Sequence, residues 1–123
     1  IIEGASEGTG LGIAFLKHLS RTRLLLHLVD LGQDITEMKT ATEVRKLELE
    51  LEKFSDELSK KERWMVFNKT DLISDFDAKS KMIIDELEWT GPAYLVSAAT
   101  GENVDLLVRD VMYRLQELEE EEA

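Results

Sequence analysis

Three short runs of nearly continuous apolar residues limit how this chain can fold more than any other feature of its sequence. The runs are residues 24–31, 63–68 and 93–98, and polar residues close or follow each of them. Strands that are covered on both faces read as continuous apolar runs, whereas strands with one wet face alternate apolar and polar residues. The sequence therefore predicts three buried strands.

A helical pattern lies between the first two runs. Apolar residues recur at steps of three and four along residues 44–58, which predicts an amphipathic helix. We expect this helix to start within residues 36–42 and to end near Lys60. Thr40 and Glu43 have the spacing of a capping box, which would satisfy two backbone N–H groups at the start of the helix.

Three further helices are predicted from the same periodicity. One covers residues 11–20, one begins at Ser74, and one begins near Asn103. The last of these carries a long apolar stripe, which we expect to be buried: Val104, Leu107, Val108, Val111, Leu115 and Leu118.

Strands and helices therefore alternate along the chain, in the order helix, strand, helix, strand, helix, strand, helix. This alternation favours right-handed crossovers and a parallel sheet with flanking helices, an α/β fold. Sheets of this kind usually have about five or six strands. Three strands lead us to expect that part of such a domain precedes Ile1.

The expected layout has three parts: a glycine-rich loop over residues 1–12, the alternating body over residues 13–118, and an acidic tail over residues 119–123. Carboxylates are unfavourable at the C-terminus of a helix, so we expect the four consecutive glutamates of the tail to be solvated and frayed. Both chain ends suggest a piece of a longer protein.

Composition excludes several classes of function. Lys and Arg number 15 against 26 Asp and Glu, a formal net charge of −11, which argues against a nucleic-acid-binding face made from this segment alone. The chain has no Cys, so a disulfide, a thiolate zinc site and a cysteine nucleophile are excluded. No apolar run is long enough for a membrane span and no signal peptide is visible. These features fit a cytoplasmic protein.

Polar residues follow each predicted strand, at the edge of a parallel sheet where ligands bind. The second strand runs into Asn68-Lys69-Thr70-Asp71. Asn-Lys-x-Asp after a buried strand resembles the guanine-reading motif of GTPases. The Asp71 carboxylate has the chemistry to accept from the ring N–H and the exocyclic amine of guanine, and adenine offers no such pair. Asn68 would donate to the other base edge and tie neighbouring loops together, and the Lys69 stem would lie on the base.

The third strand ends in Ser97-Ala98-Ala99. In GTPases a Ser-Ala pair at this place presents a backbone N–H to the guanine carbonyl oxygen, and the serine helps to hold the aspartate. We therefore expect Ser97, Ala98 and Ala99 to support the base site, with Ser97 near Asp71. By itself a Ser-Ala pair is also typical of a plain loop.

Other polar and aromatic residues have simpler interpretations. His18 and His27 have no acid or histidine at ligand spacing, so core or surface roles are expected. Trp64 and Trp89 are expected to be packing anchors. Asp30, at the end of the first strand, is either a carboxylate near the site or a turn or helix-capping residue.

A glycine-rich block at the start of the chain is the most distinctive segment. It reads Ile2-Glu3-Gly4-Ala5-Ser6-Glu7-Gly8-Thr9-Gly10-Leu11-Gly12 and continues with Phe15-Leu16-Lys17-His18-Leu19. Together with residues 25–30 and 63–69, it resembles the Obg (CgtA) family of bacterial GTPases. The resemblance extends from Ile1 to about residue 116.

The resemblance implies a partial Ras-like P-loop GTPase domain, with its first strands and phosphate loop outside this sequence. Obg proteins bind GTP and GDP with Mg²⁺, hydrolyse GTP slowly and act in assembly of the large ribosomal subunit. The resemblance therefore implies a guanine nucleotide as ligand, the subunit and its rRNA as partners, and Mg²⁺ ligands in the missing part. The base-reading residues carried over are Asn68, Lys69, Asp71, Ser97, Ala98 and Ala99.

By the same resemblance, residues 1–12 are the second switch segment. Ile1 would occupy the position where many small GTPases have a water-orienting Gln, and an apolar side chain has no hydrogen bond to offer water. The phosphate-binding loop, the first switch Thr and the Asp-x-Pro-Gly are not in this sequence. We therefore expect this chain to be unable to hydrolyse GTP unaided.

Two alternatives remain. One is a non-enzymatic acidic interaction module, in which a helix face rich in Glu48, Glu50 and Glu52 binds a basic partner independently of GTP. Its binding would weaken steeply with salt. The other is a different GTPase associated with translation, against which the glycine-rich block argues.

Overall fold

The computed structural model describes residues 11–32, 36–70 and 74–122. The order of elements in these ranges is α1 (Leu11–Ser20), β1 (Leu25–Leu31), α2 (Glu37–Phe54), α3 (Asp56–Ser59), β2 (Arg63–Lys69), α4 (Phe76–Leu87), β3 (Ala93–Val96) and α5 (Val104–Glu122). The predicted alternation is confirmed, with one additional short helix, α3.

The three strands form one parallel sheet in the order β1-β2-β3. The register pairs Asp30 with Asn68 and Asn68 with Val96, so the carboxyl ends of all three strands lie side by side. The predicted α/β architecture, a parallel sheet with flanking helices, is confirmed.

The sheet packs against helices on both of its faces. Side chains that point to α2 and α4 form one buried cluster: Val29, Leu31, Met65 and Phe67 from the strands, with Val44, Phe76 and Ile83 from the helices. The opposite face packs under α5 through Trp64, Val66, Val96 and Leu107. Alternate residues of β2 contribute to the two clusters, as the two-residue period of a strand requires. A third cluster, Leu16, Leu25, Leu51 and Leu58, joins α1 to the sheet.

The predicted long helix is interrupted at Ser55. This residue is extended, with φ −168° and ψ 135°, and its hydroxyl accepts a hydrogen bond from the Leu58 N–H at 3.0 Å. Ser55 thus ends α2 and caps α3, so the prediction of one helix continuing to about Lys60 is wrong. Serine is a favoured N-cap because its side chain satisfies a backbone N–H that the helix leaves unpaired.

The predicted capping box at Thr40 and Glu43 is also wrong. The N-cap of α2 is Thr36, whose hydroxyl accepts from the Lys39 N–H at 3.2 Å. Thr40 lies inside the helix, is buried, and donates its hydroxyl proton to the Thr36 carbonyl oxygen at 3.1 Å. Another start was placed slightly early, because α4 begins at Phe76 rather than at Ser74.

The last helix differs from its expectation in two ways. Leu107 is buried as predicted, but Val108 is 54% exposed. The acidic run at residues 119–122 is helical rather than frayed, because α5 continues to Glu122. The carboxylate of Glu122 forms an ion pair with Arg23 at 2.9 Å, which holds the end of α5 near the segment between α1 and β1.

Trp64 is a packing anchor, as predicted. It is buried and stacks on Tyr94 with ring centroids 5.5 Å apart. Trp89 donates its indole N–H to the Pro92 carbonyl oxygen, and the Arg63 guanidinium lies 5.0 Å from the Trp89 ring centre. Both indole rings therefore make contacts with other residues of the chain.

In the ranges that the structure describes, no helix combines the length and the apolar content that crossing a bilayer requires.

Candidate functional site

The strongest candidate site is the carboxyl edge of the sheet, where the ends of β1, β2 and β3 meet. Its centre is Asn68, the last but one residue of β2. The Nδ2 group of Asn68 donates to Oδ1 of Asp30 at 3.0 Å. The Oδ1 atom of Asn68 accepts from the backbone N–H of Ala98 at 2.9 Å. One side chain thus joins the end of β1 to the loop after β3.

Thr70 adds a second link between β1 and the loop after β2. Its backbone N–H and its hydroxyl both donate to the Leu31 carbonyl oxygen, at 3.1 and 3.0 Å. The chain is therefore held at two points just before Asp71. Asp71 itself lies outside the described residues, as does Ile1, so their expected roles stay predictions.

The turn after β3 is held by its own hydrogen bonds. Ser97 is buried, and its carbonyl oxygen accepts from the Gly101 N–H at 2.7 Å. The Ser97 hydroxyl accepts from the Thr100 N–H at 3.3 Å. Gly101 has φ 83°, a left-handed conformation that glycine adopts without strain. Ala98 and Ala99 are exposed at this turn, with their backbone at the site.

The backbone N–H of Ala98 has a partner that the sequence did not indicate. We expected this group to donate to a guanine carbonyl oxygen, and in this structure it donates to Asn68. A base carbonyl at this position would have to share or replace that bond. The role of Ser97 toward Asp71 stays a prediction, because Asp71 is not described.

Lys69 is half-buried at the end of β2. Because side chains alternate along a strand, it points to the opposite face from Asn68, the face of Met65 and Phe67. Its expected packing against a base stays a prediction.

Asp30 is the site residue whose role the sequence left open. It does not cap a helix, because it lies inside β1 and Thr36 caps α2. Its carboxylate is exposed and hydrogen-bonded to Asn68. The sequence indicated a role for Asp30 only by placing an acid at the end of a predicted strand. The register of β1 and β2 shows that Asp30 and Asn68 are direct partners.

His27, on β1, is a titratable group whose pKa is changed strongly by burial. Burial, with a smaller contribution from the Arg63 guanidinium, lowers the pKa of His27 to about 4. Its Nδ1 atom is buried and has no hydrogen-bond partner among the described residues. His27 lies on β1 away from the carboxyl edge and is half-buried on the face of Val29 and Leu31.

An apolar cleft of about 510 Å³ runs along the outer side of β1, lined by residues that include Phe15, Leu19, Leu26, Leu28 and Leu47. Its lining is mostly apolar and includes only a few groups that could orient a ligand, among them Thr22, His27 and Arg63. The carboxyl edge is the stronger candidate because donors and acceptors from three chain segments converge there.

No group of three or more His, Asp or Glu side chains is arranged to hold a metal ion in the described part of the chain. The resemblance implies ligands for Mg²⁺ outside this sequence. The placement of those ligands in a preceding part of the domain stays a prediction.

The acidic face expected for an interaction module does not form from the three glutamates named above. Glu50 is buried, at 8% exposure. Glu48 forms an ion pair with Arg63, and Glu52 is exposed. Glu48 and Glu52 are about one helical turn apart, whereas Glu50 projects from the opposite side of α2, because successive side chains are turned by about 100°.

The chain matches no protein-family model.

Proposed function

We propose that this chain carries the base-reading half of a guanine-nucleotide site and belongs to an Obg-type GTPase domain of the Ras-like P-loop class. In the complete domain, GTP would bind with Mg²⁺ and be hydrolysed slowly, as a switch in large ribosomal subunit assembly. The observation that supports this proposal most is the Asn68 side chain, which joins Asp30 and Ala98 at the carboxyl edge of a parallel sheet.

The polar groups at this edge suit a purine better than a phosphate or a metal ion. An Asn side chain has two N–H donors, and Asn68 uses one of them on Asp30, which leaves the other for a base nitrogen. Asp71 follows three residues later and would accept from the ring N–H and the amine of guanine. Adenine would leave that acceptor unpaired, which is the basis of strong discrimination.

Hydrolysis is not assigned to this chain. The phosphate-binding loop, which cradles the phosphates in GTPases, is not in the sequence. These residues would therefore perform base recognition but not phosphoryl transfer. Incubation of the purified chain with GTP is expected to release no phosphate, and measurable turnover would contradict this division.

A nucleotide titration followed by NMR tests the proposal. The 15N-labelled chain is titrated with GDP and, separately, with ADP. We expect GDP to shift the side-chain amide of Asn68 and the backbone amides of Ala98 and Ala99, and ADP to leave them unchanged. Equal shifts with both nucleotides, or none with GDP, would count against a guanine site.

The variant Asp71→Asn sharpens this test. A carboxamide can donate to the additional carbonyl group of xanthine, so the preference should move from GDP to xanthosine diphosphate. Asp85→Asn removes an exposed acid on α4 and serves as the matched control, which should keep the guanine preference. An unchanged preference in Asp71→Asn would remove the role given to Asp71.

A further inference from the structure

The amide of Asn68 is held at both ends by groups of opposite hydrogen-bonding character. The Asp30 carboxylate only accepts, and it faces Nδ2 at 3.0 Å. The Ala98 backbone N–H only donates, and it faces Oδ1 at 2.9 Å. If the amide turned over, an oxygen would face an oxygen and an NH₂ group would face an N–H. Both bonds would then be lost together.

The register of the sheet fixes this arrangement. Asp30 and Asn68 are direct partners in the β1–β2 ladder, and neighbouring residues of paired strands project from the same face. The side chains therefore meet without any loop rearrangement. The second anchor, Ala98, belongs to the turn that Ser97, Thr100 and Gly101 hold in place.

We propose that Asp30 is a positioning residue, which fixes the Asn68 amide so that its second N–H, and not its oxygen, points to a ligand at the carboxyl edge. For the ligand, this inference rests on the guanine function proposed above; the orientation of Asn68 does not depend on it. A fixed N–H donor matches an acceptor nitrogen of a purine ring. The charge of Asp30 strengthens its bond to Nδ2, because hydrogen bonds to an ionised acceptor are shorter and stronger than neutral ones.

The first arm of the test uses the chain without nucleotide. Asn68 and Asn103 are the only two asparagines, so their side-chain amide signals are easily separated in a 15N–1H spectrum. Asp30→Ala should move the Asn68 pair and speed its exchange with solvent. Asn103, which donates to the Leu95 carbonyl oxygen at 2.9 Å, is the internal reference and should not move. Asp85→Ala removes a distant acid and should move neither.

The second arm measures GDP affinity, well below the melting temperature of each variant. Asp30→Ala should weaken GDP binding roughly tenfold, the typical loss of a hydrogen bond to a charged group. Asp30→Asn keeps a carbonyl oxygen as acceptor and should recover part of that loss. A role in stability alone would not give this recovery. Because Asp30→Asn is nearly the same size, it also keeps the test valid if Asp30→Ala fails to fold.

The two arms separate two kinds of failure. Unchanged Asn68 amide signals in Asp30→Ala would overturn the positioning role, whatever the nucleotide does. Altered signals with no GDP binding by the unmodified chain would support the positioning of Asn68 and reject the guanine function. GDP binding that is equal in the unmodified chain and in Asp30→Ala would overturn the dependence of the site on Asp30.

Discussion

The two faces of β1 are both apolar but have very different surroundings. On the face toward α2, Leu25, Val29 and Leu31 are 7%, 6% and 2% exposed. On the other face, Leu26 and Leu28 are 41% and 66% exposed. Aliphatic side chains of the same strand are therefore buried in the core on one face and exposed to solvent on the other.

The difference arises from the reach of the helices. Helix α2 covers β1, whereas α5 packs over β2 and β3 and leaves Val108 and Met112 exposed. Within the described residues, β1 also pairs with a strand on one side only, so its other edge has unpaired backbone groups. Such an edge, next to exposed leucines, favours association with another strand. A continuous apolar run thus indicates a strand that can be buried on both faces. It does not indicate whether a helix packs on each face.

The largest expected effect comes from truncating one leucine on each face. Leu31→Ala should destabilise the chain by about 2–5 kcal/mol, because it removes buried methyl groups and leaves a cavity. Leu28→Ala should change stability by less than about 0.5 kcal/mol, because its side chain is already in water. Urea unfolding of both variants measures the difference. Similar losses for the two would mean that Leu28 is covered in solution.

A smaller effect is expected from His27, which shares the covered face of β1. Its pKa is about 4 in the folded chain against 6.5 as the ordinary value, so between these limits the unfolded state binds more protons. The contribution of His27 is thus complete above pH 6.5 and is lost as the pH falls through about 4.

Comparison of His27→Gln with the unmodified chain isolates this contribution. From pH 7.5 to pH 4.5, the unmodified chain should lose about 2–3 kcal/mol more stability than the variant. His18→Gln, at an exposed position of α1, is the control and should keep the full pH dependence. Equal acid sensitivity of His27→Gln and the unmodified chain would mean that water reaches this face of β1.

The smallest effect concerns the attachment of α5 to the other face of the sheet. Arg114 donates three hydrogen bonds of 2.7–3.0 Å to the Glu62 carboxylate, and these bonds hold the pKa of Glu62 below its ordinary value. Arg114→Gln should cost about 1 kcal/mol, the scale of a partly exposed charged contact. Arg109→Gln, which loses only contacts of 3.4 and 3.5 Å between an exposed guanidinium and its half-buried neighbour Asp110, should cost close to nothing. Thermal unfolding measures both, and equal losses would show that the Glu62 contact does not anchor α5.

The apolar periodicity predicted helices and strands well where tertiary packing favours the same element as the local sequence. Helix α1 has the predicted bounds Leu11–Ser20, and β1 begins one residue later than expected, at Leu25. The errors are at caps and ends. Thr36 and Thr40 are both plausible caps by residue type, and the choice depends on the burial of Thr40. The break at Ser55 had a local signal, a serine followed by two acids, but the apolar period continues through it to Leu58.

The sequence predicted which residues form the candidate site, but it did not predict the hydrogen bonds between them. The position of Asn68 at the end of a buried strand follows from the sequence. Its bonds to Asp30 and Ala98 depend on strand register and on the turn after β3, neither of which local patterns contain. For the same reason the use of the Ala98 N–H within the fold was not foreseen.

The Asn68 bridge has a consequence for how the molecule assembles. It joins residues 38 positions apart on one side and 30 positions apart on the other. Contacts at such separations form after the intervening chain has closed into its crossovers, which makes them slow relative to helix formation. The bridge is complete only when both crossovers have closed. Partial opening of β1 or of the turn after β3 would break one of the two bonds while every helix remained formed, so this single amide reports whether all three strands are in place.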